Sequence, residues 1–154
     1  MTDSLTTEEL RLWRDFLQWT EQTMTAVGAD LASNSSMSVS DFEVAVRVQE
    51  AGGVVLQRVL GEHLGWSASR LSHQLRRMEK RGLLTRPKSG HGRSMQVVLT
   101  ASGRAELDSA LAVHARSVRE HFLSTLGSST ADIIPRATSP VRCPKRIQTA
   151  RARG

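Results

Sequence analysis

The residue types with the clearest chemistry are concentrated between Arg70 and Arg93, where eight basic side chains stand against Glu79 alone. Arginine and lysine bind phosphate, and arginine also pairs with the hydrogen-bonding edge of guanine. The first 50 residues have the opposite balance, with three basic and nine acidic side chains, and should repel a polyanion. This distribution, within a net charge of +6, indicates that a nucleic acid docks on the middle of the chain.

The spacing within this basic segment predicts a helix with a polar and basic outer side. Ser67 is placed to cap its N-terminus, and Gly82 follows its end at Arg81. Residues 71, 75 and 78 are apolar and should face the core. At about 100° per residue, the candidates for base edges are Ser69, Arg70, His73 and Gln74. The candidates for phosphate contact, further along the helix, are Arg76, Arg77 and Lys80.

A hairpin is predicted directly after this helix. Residues Leu83–Arg86 and Met95–Leu99 alternate like strands, and the segment KSGHGR between them carries two glycines. Lys88 and Arg93 in this wing are candidates for DNA contact, and Arg93 is placed to reach a minor groove. A basic helix face alone is usually only a solvated surface. A second basic element beside it favours DNA binding.

Four further helices are predicted to hold these elements in place, over residues 8–31, 40–51, 54–64 and 100–126. Ser40 and Glu43 have the spacing of a capping box for the second of them, and Thr100 is placed to cap the last. The helix over 54–64, the turn at Gly65-Trp66 and the basic helix together make a helix-turn-helix. The apolar stripes of the first and last helices find no partner within the chain.

Residues 40–104 resemble the multiple-antibiotic-resistance regulator (MarR) family of bacterial winged-helix repressors. The segment LGWSASRLSHQLRRMEKRGLLTR resembles the turn, recognition helix and exit of that family, and VVLTASGR resembles the end of its wing and the start of its next helix. The resemblance implies a homodimer in which the first and last helices of two chains interlock. It also implies two recognition helices reading a pseudo-palindrome in double-stranded DNA, and often a small aromatic effector.

The sequence departs from the family pattern at two places. Members commonly carry an acidic residue near the wing tip that orients the wing arginine, whereas this chain has residues 89–92, SGHG. Members also end in another amphipathic helix, whereas this chain continues after Leu126 with three prolines and many arginines. We interpret this tail as a truncated or frame-shifted C-terminus. Sequencing of the locus tests that hypothesis. If no alternative reading frame encodes an amphipathic helix, the hypothesis is contradicted.

The predicted fold class is mainly α with a small β-hairpin wing (α+β), a winged helix-turn-helix flanked by long dimerisation helices. We expect one regulator domain over residues 1–126, with a DNA-binding part at about 40–100 and dimerisation helices at about 8–32 and 101–126. Residues 127–154 are expected to form a disordered basic tail. No apolar stretch reaches the roughly 20 residues that cross a bilayer. We therefore expect a cytoplasmic protein without a membrane partner.

Other classes of function are less well supported by the residues. No phosphate-binding glycine loop, nucleophile elbow or zinc motif is present, so no enzyme activity, catalytic residue, metal or cofactor is expected. His114 and His121 lie two turns apart, too far for two ligands of one ion without help from other elements. A protein-interaction module with a winged fold, or a non-specific nucleic acid binder that uses the basic tail, stays open as an alternative.

Overall fold

The long first helix begins and ends as its polar sequence flanks dictate. The computed structural model describes residues 4–88, 90 and 94–126. Helix α1 spans Thr7–Asn34 and opens on a capping box, in which the Glu9 backbone N–H donates to the Thr6 hydroxyl and the Glu9 carboxylate accepts from the Thr6 backbone N–H. The last turns of α1 lie against the rest of the core, where Leu31 is buried.

The capping residue of the second helix lies two residues before the predicted position. Helix α2 spans Val39–Glu50, and its capping box is formed by Ser38 and Asp41, so the prediction of Ser40 and Glu43 was wrong. Both pairs have the required spacing. The capping box forms at Ser38 because the residues on either side of the first turn, Met37 and Phe42, are both buried. They form a hydrophobic staple around Ser38.

A short strand replaces the first part of the predicted third helix. Strand β1 spans Val54–Leu56 and pairs antiparallel with β3, and helix α3 follows at Gln57–Leu64. The prediction of helix over 54–64 was therefore wrong for its first three residues. Gly52 and Gly53 both have positive φ and turn the chain back, so the backbone of Val54 and Val55 meets the wing strand.

The basic helix and the hairpin follow as predicted. Helix α4 spans Ala68–Lys80, Ser67 caps it by accepting from the Arg70 backbone N–H, and Gly82 follows with a φ of 75°. Strands β2 (Leu84–Thr85) and β3 (Gln96–Leu99) form the wing, and the sheet order is β1-β3-β2, antiparallel throughout. The mainly helical fold with a small β-sheet and a wing is confirmed.

The final helix contains one widened turn. Helix α5 spans Ala101–Val118, a π-turn occupies Arg119–Leu123, and a last helical turn α6 covers Ser124–Leu126. The predicted cap Thr100 is confirmed, since its hydroxyl accepts from the Gly103 backbone N–H at 2.9 Å. Helix α5 packs along α1, and both contribute to a single core shared with α2, α4 and the sheet. Within the described residues, no helix is both long and apolar enough to span a membrane.

Candidate nucleic-acid interface

The outer side of α4 carries the exposed polar and basic side chains that its periodicity predicts. Its inner side is buried through Leu71, Leu75 and Met78. Six of the seven α4 residues proposed from the sequence are exposed, namely Ser69, Arg70, His73, Arg76, Arg77 and Lys80. The arrangement presents one continuous cationic surface, which we call the outer face of α4.

Arg70 is held in place at the N-terminal end of this face. Its guanidinium carbon lies 4.0 Å from the centroid of the Trp66 ring. Trp66 lies in the turn between α3 and α4. A guanidinium over an indole face is attracted by the ring quadrupole. The contact fixes the side chain that leads α4 into any groove it enters.

Gln74 does not belong to the outer face. Its side chain is 7% exposed, and its amide nitrogen donates to Asp41 Oδ1 at 2.5 Å. The sequence prediction that Gln74 meets a base edge is therefore corrected. Gln74 lies three residues after Leu71 and four before Met78, a spacing that belongs to the inner side of α4. The buried carboxylate that satisfies its amide is on another helix, and local spacing does not reveal it.

Two of the basic residues counted in the charged segment neutralise carboxylates of the protein itself. Arg81 binds Asp41 at 2.6 Å, and Arg86 binds Glu79 at 2.6 Å. Within residues 4–88, 90 and 94–126, by contrast, no carboxylate lies within 4.0 Å of the cationic groups of Arg70, Arg76, Arg77, Lys80 or Lys88. The cations of this charged segment that remain available for a polyanion are thus on α4 and the wing.

The wing continues the cationic surface past α4. Lys88 is exposed and forms a bridge with Met95 that extends the β2–β3 hairpin toward its tip. Arg93, the second wing candidate, lies outside the described residues, as do Ser89, His91 and Gly92. Gln57 at the start of α3 donates from its side chain to Ser72 of α4 at 3.2 Å and from its backbone N–H to the Met95 carbonyl at 2.9 Å, so α3, α4 and the base of the wing meet in one region.

Asp41 is a buried charge that the sequence reasoning missed. Its carboxylate accepts from the Ser38 backbone N–H, from Gln74 and from Arg81, and its residue is 1% exposed. Burial acts to raise the pKa of Asp41. The hydrogen bonds from Ser38, followed by that from Arg81 and its charge, outweigh burial and hold the pKa of Asp41 below its ordinary value of 3.8. The spacing of Ser38 and Asp41, which is typical of a capping pair at a helix N-terminus, was the sequence signal that could have identified Asp41.

A largely apolar cavity of about 600 Å³ lies beside the helix-turn-helix. Its lining comes from the start of α3, the turn, the first part of α4 and the wing, including Leu56, Gly61, Trp66, Leu71 and Met95. Because Trp66 forms part of this wall and also carries Arg70, the cavity adjoins the N-terminal end of the outer face.

The histidines of the long helices have ordinary structural partners. The His114 ring lies against Phe42, with centroids 4.8 Å apart, and His121 Nε2 lies 2.9 Å from Asp30 Oδ2. In the part of the chain that the structure describes, no group of three or more His, Cys, Asp or Glu residues is arranged to hold a metal ion.

A broad apolar surface remains exposed on α1, away from the core. It includes Leu12, Trp13, Phe16, Leu17 and Met24, and Leu123 of the π-turn is exposed as well. The Trp13 and Phe16 rings stack on each other at 5.8 Å, so the aromatic residues form one patch. The prediction of an unpartnered apolar stripe is therefore confirmed for the first part of α1. It was wrong for the last helix, because Leu107 is buried in the core, Leu111 packs against that core, and α5 packs along α1.

Comparison with known proteins places this geometry among transcriptional regulators. The chain is similar to AbsC, a MarR family transcriptional regulator from Streptomyces coelicolor, with 29% identity, a TM-score of 0.83, and 91% of this chain and 95% of AbsC covered. It is also similar to Sco3205, a MarR family transcriptional regulator from the same organism solved in complex with DNA, with 22% identity, a TM-score of 0.81, and coverage of 89% and 87%.

A third similar structure is that of an organohalide sensing transcriptional regulator in its 2,4-dichlorophenol bound form, with 19% identity, a TM-score of 0.71, and coverage of 88% of this chain and 79% of that one. The second and third likenesses concern the fold alone. No protein-family model matches the sequence, and no curated protein matches it. The solved structures that the chain resembles are regulators, not enzymes.

Proposed function

We propose that the chain, which is similar to MarR family transcriptional regulators, is a member of that family and a sequence-specific, ligand-responsive repressor that acts as a homodimer on a pseudo-palindromic operator. The observation that carries the proposal is the outer face of α4, where cations without carboxylate partners among the described residues stand beside a wing. A polar face that served only for solvation would not need its leading arginine fixed over a ring.

The side chains of the outer face fall into two proposed roles. Ser69, Arg70 and His73, at the end of α4 that enters a major groove first, contact base edges. Arg76, Arg77 and Lys80 contact phosphates, and Lys88 and Arg93 of the wing reach the adjacent backbone or minor groove. The buried position of Gln74 removes it from the first group.

The homodimer part of the proposal rests on α1. The aromatic and aliphatic side chains exposed there form a patch of the kind that monomeric proteins rarely leave in water. Pairing the first and last helices of two chains would cover the patch and place two α4 helices on one side of the dimer. The unit proposed to do this is residues 1–126, with the basic tail outside it.

The experiment that tests the proposal is DNA binding by the full chain. The purified protein is titrated with its own upstream intergenic DNA, followed by anisotropy, with unrelated DNA as competitor and salt varied. We expect competitor-resistant binding that Arg70→Ala weakens by about 1–3 kcal/mol, roughly 5- to 150-fold in Kd. Arg47→Ala removes an exposed arginine of α2 that pairs with Glu50, and serves as the matched control.

The proposed phosphate contacts can be distinguished from base contacts in the same binding assay. Arg76→Ala should weaken binding to the intergenic DNA and to unrelated DNA by a similar factor, and should lower the slope of log Kd against log salt by about one. An Arg76→Ala protein that loses binding only to the intergenic DNA would move Arg76 into the base-reading group.

The alternative function is non-specific nucleic acid binding through the tail. It predicts that any DNA competes equally and that a chain cut after Leu126 loses most of its affinity. Retained specific binding by the shortened chain would exclude it.

The ligand-responsive part of the proposal is supported by the cavity beside Trp66. An apolar site of this size next to a few polar groups suits a small aromatic molecule. A panel of substituted phenols and benzoic acids should contain compounds that release the protein from its DNA, with tryptophan fluorescence reporting binding. A panel without effect on either signal would contradict this part alone.

A further inference from the structure

One carboxylate connects the recognition helix to the rest of the molecule at two points. Asp41 in the first turn of α2 accepts from Gln74, in the middle of α4, at 2.5 Å and from Arg81, directly after the end of α4, at 2.6 Å. Its third donor is the Ser38 backbone N–H at 3.0 Å. The carboxylate therefore holds α4 at its centre and at its C-terminal end.

The connection continues to the long helix α5. Arg81 also donates to the Ser36 backbone carbonyl at 2.7 Å and lies 3.8 Å from the carboxylate of Glu106 in α5. Glu106 accepts from the Ser36 hydroxyl at 2.6 Å, which closes the chain of contacts. We call the residues Asp41, Gln74, Arg81, Ser36 and Glu106 the α4 clamp. It joins the recognition helix to α2, to the α1–α2 loop and to α5.

The clamp specifies the direction of α4, which apolar packing alone does not. Burial of Leu71, Leu75 and Met78 holds α4 against the core, but the hydrophobic effect is non-directional and leaves the tilt of a helix poorly specified. Hydrogen bonds to a fixed carboxylate have preferred distances and angles, so two of them at separate points of α4 specify its direction. Helix α5, to which the clamp leads, packs along α1, and α1 carries the exposed apolar patch.

We propose that Asp41, acting through Gln74 and Arg81, is a positioning residue that sets the tilt of α4 relative to the long helices, and thereby the spacing of the two operator half-sites that the dimer accepts. This inference rests on the proposed dimeric DNA-binding function. The N-terminus of α4 extends about 9 Å beyond Gln74, so a tilt change of roughly 10° moves it by about 1.5 Å. Two such displacements approach the roughly 3.4 Å rise of one base pair.

The test begins with selection of binding sites from a pool of random duplexes by the wild-type chain. The selected duplex is then compared with versions in which one base pair is inserted or deleted between the half-sites. We expect wild type to lose about tenfold or more in affinity for the altered spacings. We expect Asp41→Asn to reduce that spacing penalty at least about threefold, because a looser α4 adapts to either length.

A core variant separates positioning from general weakening of the fold. Val113→Ala removes buried volume from α5 without touching the clamp and should destabilise the protein while leaving the spacing penalty unchanged. If Asp41→Asn does not fold, Glu106→Gln, at a partly exposed position, tests the same connection, and its spacing penalty should also fall.

The outcomes distinguish the inference from the function on which it rests. A wild-type selection that yields no sequence with two half-sites overturns the proposed function. A wild type that selects such a site, together with Asp41→Asn or Glu106→Gln proteins whose spacing penalty equals that of wild type, overturns the positioning role and leaves the function intact.

Discussion

At the scale of single residues, the contact between Arg70 and Trp66 has a measurable value. The guanidinium lies over the ring in an exposed position, where such a contact contributes about 0.5–1 kcal/mol. Trp66→Leu should therefore weaken binding to the selected DNA by roughly two- to fivefold, because Arg70 is no longer held. Trp66→Phe, which keeps an aromatic face, should bind nearly as wild type. Equal affinity of the leucine variant and wild type in an anisotropy titration would contradict the role of the ring.

Asp41 gives a prediction about pH. Its pKa is depressed in the folded protein, so it is charged more readily folded than unfolded, and its stabilising contribution is complete above its ordinary value of 3.8. That contribution is lost as the pH falls through the depressed pKa, where Asp41 becomes protonated in both states. The stability difference between wild type and Asp41→Asn should therefore shrink between about pH 5 and pH 3.

Urea denaturation over this pH range measures the difference. Asp15→Asn on α1 is a suitable control, because that carboxylate is exposed and forms a surface pair with Arg11. A wild-type minus Asp41→Asn difference that stays constant down to pH 3 would show that folding does not lower the pKa of Asp41.

At the scale of elements, the junction between the wing and α5 depends on Gly103. Thr100 donates from its backbone N–H to the Leu83 carbonyl and from its hydroxyl to the Gly82 carbonyl, and this draws the first turn of α5 onto the exit of α4. A Cβ atom at Gly103 would lie 1.9 Å from the Leu83 carbonyl oxygen. Only glycine fits at this position.

Gly103→Ala should therefore destabilise the fold by about 2 kcal/mol or more, since backbone on both sides must move. Gly90→Ala is the matched control, because an added methyl group there meets no atom of the described residues within 4 Å. Thermal denaturation compares the two. Similar melting temperatures for Gly103→Ala and wild type would mean that α5 can shift away from Leu83 at little cost.

The same elements show which parts of the fold can be predicted from the sequence. The start of α4 at Ser67, its end at Gly82 and the start of α5 at Thr100 were predictable, because caps and glycine turns act within a few residues. Strand β1 was not, because three residues have no strand signal of their own and gain their conformation from pairing with β3.

In the candidate site, too, features set by local spacing could be predicted and features set by long-range contacts could not. Exposure of Arg70 and its neighbours followed from helical periodicity. The burial of Gln74 could have been read from its position between Leu71 and Met78, but its partner Asp41 lies 33 residues away. The interaction of Arg81 with the same carboxylate spans 40 residues. Such long-range pairs are specified by tertiary packing, so the clamp could not be predicted from local spacing.

At the scale of the whole molecule, the exposed apolar patch on α1 predicts the oligomeric state. Phe16 is half exposed and stacks on Trp13 within the patch. Phe16→Glu would place a charge in the proposed dimer interface and should raise the dimer dissociation constant by roughly 30-fold or more. Analytical ultracentrifugation measures it. Gln18→Glu adds the same charge on the opposite side of α1 and should leave the dimer unchanged. Equal dissociation constants for the two variants would place the dimer interface elsewhere.

The π-turn at Arg119–Leu123 sets the rotation of the last helical turn relative to α1. A π-turn holds one more residue than an α-helical turn, so it is equivalent to a single-residue insertion absorbed without breaking the helix. His121 and Phe122 of this turn meet Asp30 and Trp19 of α1. Deletion of Glu120 would restore a regular α-helix, and Ser124–Leu126 would then rotate by about 100° relative to α1. The extra residue therefore determines which side of the last turn faces away from α1.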